Sequence, residues 1–546
     1  MDSQAWASDA LKWAVAQGVA EFCVCAGSRN GPLLAALSSA SGAQSWSFFE
    51  ERSAAFFALG RARELGRPVA VVTTSGTAVA ECLPAAIEAH YEGVPLVFIT
   101  ADRPRRYRGT GAPQSIEQAG LFGAYVSASF DGEADEAAKL HATPWDRLAP
   151  FHLNICFEEP LLTSPPATLD LTPKAPSAFS TSRAQGRAAE LSERNVEKEL
   201  GAFSTLVRGW RRPLLVLSRL APEDRAAVRD FALRWNAPVY AEACSGLRED
   251  AALANLRLSS GERLLPLGGF DGVLRIGGVP TMRFWRDLED KLAGLPVASL
   301  DPRGFSGLSR GGCLRASPAE VLPGLEVDRV RGCEPLFARD GDLLSRKLQL
   351  FSKMPASEPA IFHHLSRRIP DASLVFLGNS LPIREWDLAA DLRDRKHRVE
   401  ANRGANGIDG QVSTFLGLAE GAREGWGVFG DLTALYDLAS LWACDQMTVE
   451  RLRLVVINNG GGRIFGRLPA VRRHVEEAAR QRFFETRHDL GFEGWAQLWN
   501  FGFERWNDGL SPHPPGADRS VIEIRPDEQD TARFWSEYDA LWESFA

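Results

Sequence analysis

Short apolar runs, each closed by a turn and followed by an amphipathic stretch, recur along the whole chain. A short apolar run followed by a helical period reads as a strand buried on both faces, and such strands belong in parallel sheets covered by helices. Glu21–Cys25, Val69–Thr74 and Pro95–Thr100 read this way in the first third, with a helix expected over Gly76–Tyr91. Pro213–Ser218, Pro238–Glu242, Val273–Ile276 and Val297–Leu300 follow in the middle. Leu374–Leu377, Gly427–Phe429, Leu452–Ile457 and Val521–Ile524 close the series, with a helix expected over Leu432–Ala443. The fold class that follows is α/β, built from doubly wound parallel sheets.

The chain has 546 residues, too many for one core, and the strand series divides into three blocks. Leu162–Ala184, rich in Pro, Ser and Thr, reads as a linker, and a second block starts near Ala188. A charged segment around Arg339–Lys353 leads to the third block. The glycine turn after a strand in the third block echoes Thr74-Ser75-Gly76-Thr77 in the first, as related domains would.

Net charge is −8, which gives a nucleic-acid partner no electrostatic support. Met1–Trp6 lacks the basic and apolar parts of a signal peptide, and no apolar run reaches the length of a membrane span. Eight scattered cysteines form no CxxC pair. Reduced thiols in a cytoplasmic protein, packed as small core hydrophobes, are expected. His363-His364 is adjacent rather than spaced four apart, so it reads as structural, as does the Trp-rich C-terminus.

Chemistry enters through two segments. In the third block Gly430-Asp431-Leu432 follows a strand, and Asn458-Asn459-Gly460-Gly461-Gly462 follows the next one, with 28 positions from Asp431 to Asn459. A carboxylate, an amide oxygen and an unobstructed glycine carbonyl are suitable oxygen ligands for Mg²⁺. The spacing fits the thiamine diphosphate motif, which begins Gly-Asp-Gly and ends Asn-Asn. The other segment is Phe49-Glu50-Glu51-Arg52-Ser53, 380 positions upstream and read as an acid in an apolar strand context.

Further motifs accompany them in order. The first block has Ala26-Gly27-Ser28-Arg29, Thr74-Ser75-Gly76-Thr77-Ala78, Glu88-Ala89-His90-Tyr91, Thr100-Ala101-Asp102-Arg103-Pro104 and Gly111-Ala112-Pro113-Gln114. The third has Gly378-Asn379-Ser380-Leu381, Asn402-Arg403-Gly404-Ala405-Asn406-Gly407-Ile408-Asp409-Gly410 and Gly462-Arg463-Ile464-Phe465. This ordered set resembles the MenD family, the menaquinone-pathway 2-succinyl-5-enolpyruvyl-6-hydroxy-3-cyclohexene-1-carboxylate synthases of the thiamine diphosphate-dependent superfamily.

The resemblance implies three domains: a pyrimidine-binding domain over residues 1–180, a central domain over 188–340 and a diphosphate-binding domain over 354–546. It implies thiamine diphosphate and Mg²⁺ (Mn²⁺ as the alternative metal), with 2-oxoglutarate and isochorismate as substrates. It also implies a homodimer or homotetramer whose active sites form between two chains. Glu51 is the implied catalytic acid, bonded to N1′ of the aminopyrimidine so that the 4′-imino form can take the C2 proton. Glu50 is its rival, and alignment to the family's pattern selects Glu51. Thr77, Ser380, Ile408, Gly430, Asp431, Leu432, Thr433, Asn459 and Ile464 would contact the cofactor, with Ile408 as an apolar wedge between its rings. Asp431, Asn459 and the Gly461 carbonyl would hold the metal, and the helix start at Asp431 would favour the diphosphate.

Four carboxylates on two substrates call for guanidinium groups. Ser380, Arg384 and Arg403 are placed on 2-oxoglutarate; Arg29, Gln114 and Arg283 on isochorismate with Ser28 nearby; Ile464 and Phe465 as pocket walls. The chain departs from the family at Met282, Pro113 and Glu81, where Lys, Asn and Asn are usual. Two other readings are a thiamine diphosphate carboligase or decarboxylase with a different acceptor, and a non-catalytic cofactor-binding homologue.

Overall fold

The computed structural model describes residues 1–173, 193–506 and 516–543. Part of the expected linker, and the expected start of the second block near Ala188, lie outside these residues. Three main parallel sheets follow one another along the chain. The first holds β1 Glu21–Cys25, β2 Gln44–Phe48, β3 Val69–Thr73, β4 Leu96–Asp102, β5 Ala128–Gly132 and β6 Phe151–Cys156, in the order β2-β1-β3-β4-β6-β5. The second holds β7 Pro213–Leu217, β8 Val239–Ala241, β9 Gly272–Ile276, β10 Val297–Leu300 and β11 Cys313–Leu314, in the order β8-β7-β9-β10-β11. The third holds β12 Leu374–Leu377, β13 Arg398–Glu400, β14 Glu424–Gly430, β15 Arg451–Ile457, β16 Gly502–Trp506 and β17 Arg519–Ile524, in the order β13-β12-β14-β15-β17-β16. The first and third sheets thus share one strand order, and each pairs its strands in parallel throughout.

The described chain divides into two compact units. One comprises Met1–Ala184, Asn402–Ala422 and Thr433–Val449; the other comprises Gln185–Ala401, Arg423–Leu432 and Glu450–Ala546. In the first unit Trp6, Trp13, Phe22, Val72, Ile99 and Phe151 form one apolar core. In the second, one core runs from Leu214 and Trp285 of the middle block to Trp386, Val428 and Ile522 of the third.

Three readings of local structure are corrected. Glu51 is not in a strand: it opens the helix Glu51–Leu65, because the Glu50 carboxylate accepts from the backbone N–H of Arg52 (3.0 Å) and Ser53 (2.9 Å) and caps the first turn. The expected Gly76–Tyr91 helix is two, Thr77–Glu81 and Leu83–Glu92, broken at Cys82 where Pro84 starts the second. The expected Leu432–Ala443 helix is the short helix Asp431–Tyr436 followed by a 3₁₀ segment Ser440–Gln446. The charged segment before the third block is the end of a continuous helix, Glu334–Lys353.

In the first unit, the Glu51–Leu65 helix crosses the helix Gln411–Ala419 at close range. A Cβ on Gly60 would lie 2.2 Å from the Thr414 carbonyl oxygen, and one on Gly417 would lie 2.3 Å from that of Phe57. The glycines let two backbones touch where any side chain would part them. Beside the crossing, Arg61 grips Glu21 with Nε and Nη2 (2.8 and 2.6 Å), and Trp46 Nε1 donates to the same carboxylate (2.7 Å).

Candidate active site

In a doubly wound sheet, ligands sit outside the carboxyl ends of the strands where the strand order reverses. That point lies between β1 and β3 in the first sheet and between β12 and β14 in the third. Most of the predicted residues collect at these two edges, whereas Arg283 follows β9 of the second sheet.

In the first unit, the turn after β1 carries Ser28 and Arg29. Asn30 closes it, accepting from Gly27 N–H (2.9 Å) and donating to the Cys25 carbonyl (2.8 Å). A Cβ on Gly27 would lie 2.4 Å from Thr74 Cβ, so this turn presses on the one after β3. That second turn runs through Gly76, in the left-handed region at φ +85°, into Thr77. Gln114, itself at φ +54°, lies against Gly76: a Cβ there would be 3.3 Å from the Gln114 Cα. Ser28, Arg29, Thr77 and Gln114 are therefore brought to one edge. Ser28 and Thr77 are exposed, whereas Arg29 is buried and donates to the Phe157 carbonyl (3.3 Å) and Glu159 (3.0 Å).

Glu51 begins its helix just after β2, at the same edge. With Glu50 committed to capping, Glu51 is the acid left to face outward. It is half-buried, and its pKa is raised first by burial and then by the neighbouring charges of Glu50 and Glu81. Glu81, a departure from the family pattern, thus acts on the protonation of the key carboxyl. Cys25 lies nearby with its thiol pushed far up by burial, and all eight cysteines are free.

Arg403 and Ile408 belong to a loop held by two carboxylates that sequence reasoning left unassigned. Glu88 accepts from the backbone N–H of Gly404 (2.7 Å) and Ala405 (2.6 Å), and Glu92 from that of Arg403 (2.8 Å). A Cβ on Gly404 would lie 2.6 Å from the Glu88 carbonyl oxygen. Glu88 and Glu92 stand four apart on one helix face, which was the available signal. Asp437 accepts from Gly410 (2.9 Å) and Val412 (3.0 Å) and fixes the far end of the loop. Ile408 is half-buried and Thr433 is buried.

In the second unit, Ser380 follows β12 at φ +69° and opens the helix Leu381–Ala389, on which Arg384 donates back to the Ser380 carbonyl. Gly430 ends β14, and Asp431 follows it, buried, with Leu432 next. The Asp431 carboxylate accepts from Leu432 N–H (2.6 Å) and from Gly461 N–H (2.9 Å), which ties the turn after β14 to the turn after β15. Burial raises its pKa above the ordinary carboxylate value. Gly461 adopts φ +127°, where a Cβ would lie 2.4 Å from the Glu485 carbonyl oxygen. Asn459 donates through Nδ2 to Glu358, while its Oδ1 is buried without a hydrogen-bond partner. A carboxylate, a bare amide oxygen and a glycine turn are thus gathered, and this donor set fits a hard divalent cation. Ile464 is half-buried in the 3₁₀ segment Arg463–Arg467, and Phe465 is exposed beside Phe484. Arg283 opens the helix Arg283–Asp287 and pairs with Asp287 (2.8 Å), while Met282 is buried in the core.

Among the described residues, one further cluster has metal-like spacing: Asp102, Asp131 and Cys156. The Arg108 guanidinium fills it, bonded to Asp102 (2.9 Å), Asp131 (2.6 Å) and Cys156 Sγ (3.4 Å).

The family described as thiamine pyrophosphate enzyme, N-terminal TPP binding domain, matches residues 6–121. The 2-succinyl-5-enolpyruvyl-6-hydroxy-3-cyclohexene-1-carboxylate synthase of Bdellovibrio bacteriovorus is 40% identical over 558 residues, covering 99% of this chain and 100% of the relative. Those of Akkermansia muciniphila and Rubrobacter xylanophilus are 40% and 35% identical, covering 94% and 89% of this chain and 94% and 88% of themselves. The family match and these relatives place the chain among thiamine pyrophosphate-dependent enzymes, and its parallel α/β sheets are consistent with that class. Within that class, the chain belongs to the family of 2-succinyl-5-enolpyruvyl-6-hydroxy-3-cyclohexene-1-carboxylate synthases, enzymes of menaquinone biosynthesis. No helix among the described residues is long and apolar enough to cross a membrane.

Proposed function

We propose that the chain uses thiamine diphosphate and Mg²⁺ to decarboxylate 2-oxoglutarate and join the remaining four-carbon unit to isochorismate. The product would be 2-succinyl-5-enolpyruvyl-6-hydroxy-3-cyclohexene-1-carboxylate. One observation carries the reading: the motif residues gather at the carboxyl edges of two sheets of the same strand order, and one edge keeps a buried amide oxygen bare. When bound, thiamine diphosphate supplies the electron sink for loss of CO₂ and formation of the new carbon–carbon bond.

The residues divide the remaining work. Glu51, whose pKa is raised by burial, holds a proton at N1′ of the aminopyrimidine. Thr77, Ile408, Gly430, Leu432, Thr433 and Ile464 shape the cofactor's surroundings. Asp431, Asn459 Oδ1 and the Gly461 carbonyl hold the cation. Ser380, Arg384 and Arg403 take the carboxylates of 2-oxoglutarate, and Arg403 is backed by the Glu88 and Glu92 clamp on its loop. Arg29, Gln114 and Arg283 take isochorismate with Ser28 beside them, and Phe465 closes the apolar side. In this reading residues 1–180 bind the pyrimidine, 354–546 bind the diphosphate, and 188–340 form the central domain. The enzyme works in the cytoplasm as a homodimer or homotetramer, and two chains complete each site.

Glu51→Gln tests the catalytic acid: cofactor binding should persist while exchange of the C2 proton falls by at least 100-fold. Unchanged exchange would exclude Glu51. CO₂ release should occur with 2-oxoglutarate; release from pyruvate instead would overturn the donor assignment. Mixed oligomers of Glu51→Gln and Asp431→Ala chains should regain activity that neither variant has alone. No recovery would refute the two-chain site.

A further inference from the structure

Glu358 is a buried carboxylate that none of the motifs contains. It opens the helix Glu358–Arg368 and is 4% exposed. Its backbone N–H donates to Thr531 Oγ1 (3.0 Å), which fixes the start of the helix. Both of its side-chain oxygens lie 3.2 Å from Asn459 Nδ2. Burial raises its pKa, and the hydrogen bond from Asn459 acts the other way, favouring the charged form.

An amide side chain has a donor end and an acceptor end, and the two Glu358 oxygens lie equally close to the donor end. Asn459 Nδ2 therefore faces Glu358, and Oδ1 has to point the other way. Oδ1 is buried with no hydrogen-bond partner, so its desolvation is uncompensated until something binds it. The next turn residues include Gly461, whose N–H is taken by Asp431, so the bare oxygen stands in the same turn system as the buried aspartate.

We infer that Glu358 is a positioning residue that locks the Asn459 amide with its oxygen toward the divalent cation of the cofactor site. The inference rests on the reading of Asp431, Asn459 and Gly461 as the cation's ligands. Outer-shell partners that orient a metal ligand govern 10–100-fold in affinity. Glu358 sits 101 positions before Asn459 in sequence, which is why no motif includes it.

The test is Mn²⁺ titration of the full-length protein with thiamine diphosphate present, reading free Mn²⁺ by electron paramagnetic resonance. Glu358→Gln keeps the side chain's size but can present either end of an amide, so Asn459 is free to turn. It should weaken Mn²⁺ binding about 10-fold or more while far-UV circular dichroism stays unchanged. Asn459→Asp sets two carboxylates face to face and should also bind weakly. The double variant Glu358→Gln with Asn459→Asp restores one donor facing one acceptor, and should bind Mn²⁺ more tightly than either single variant. Wild-type affinity in Glu358→Gln, with Asn459→Ala impaired, would overturn the inference and leave the ligand reading standing. A double variant no tighter than the weaker single would overturn it as well, including where Glu358→Gln alone folds poorly. Mn²⁺ binding unaffected by both Asn459→Ala and Asp431→Ala would overturn the ligand reading itself, and the inference with it.

Discussion

Replacing Gly60 by alanine is the sharpest physical test of the first unit, because two effects of opposite sign compete there. In an ordinary exposed helix the change stabilises by about 0.5–1 kcal/mol, through reduced backbone entropy in the unfolded chain. At Gly60 the new Cβ would lie 2.2 Å from the Thr414 carbonyl oxygen, 2.9 Å from Leu418 N and 3.0 Å from Gly417 Cα. All three are backbone atoms of a helix, so no side chain can swing aside. Restoring ordinary contact requires the helices to part by roughly 1 Å, which loosens Phe57, Thr414 and Leu418, all buried at the crossing. Overpacking of this kind costs about 1–3 kcal/mol and occasionally more, so the net effect should be a loss of about 1–2 kcal/mol. Gly341 supplies the control, since it lies inside the Glu334–Lys353 helix with nothing within 4 Å of its added Cβ. Scanning calorimetry should show the transition falling by a few degrees for Gly60→Ala and holding or rising for Gly341→Ala. Equal, stabilising shifts at both positions would refute the close crossing.

Two further outcomes follow from buried charges in the same unit. Arg61→Met leaves Glu21 without its bidentate partner and should cost about 3–5 kcal/mol by denaturant titration; adding Glu21→Gln should recover part of that loss, and no recovery would show that the pair is not coupled. Asp131 is pushed up by burial but held down to about 2 overall by its bonds to Arg108 and Asn154. Its folded pKa is below the ordinary 3.8, so its contribution, about 2 kcal/mol, is present above about pH 4 and lost as pH falls through 2. Asp131→Asn should be less stable than the parent at pH 7 and approach it near pH 2.5; a constant gap across that range would contradict the linkage.

The strands that could be read from sequence were those buried on both faces. β3, Val-Ala-Val-Val-Thr, is buried at every position, so its apolar run needs no context. β2, Gln-Ser-Trp-Ser-Phe, lies at a sheet edge with only Trp46 and Phe48 buried, and gave no such run. β6 escaped for a different reason. It is wholly buried yet carries His152 and Asn154, which bond to the Thr100 hydroxyl inside the sheet (both 2.8 Å). Residues in the motif turns were likewise legible, because glycine and polar residues after a strand report a backbone path. Glu88, Glu92 and Glu358 were not, since what each one holds is decided by a segment remote in sequence.

The sequence by itself therefore determined the α/β class, the parallel sheets and the positions of the chemistry-bearing turns. Those properties depend on local period and on residues that few backbone conformations accept. The folded structure supplies the physical reason that the acid selected by the family's pattern is the free one of two neighbours. Glu50 and Glu51 are identical as side chains, and only the helix start that uses Glu50 as its cap leaves Glu51 facing outward. Tertiary structure alone decided that Gly60 and Gly417 must be glycine, and that Asn459 turns its oxygen away from Glu358. The Gly60–Gly417 crossing and the Asn459 orientation are contacts between segments far apart in the chain, and their energy exists only once both backbones are in place, whereas the Glu50 cap acts within its own helix turn.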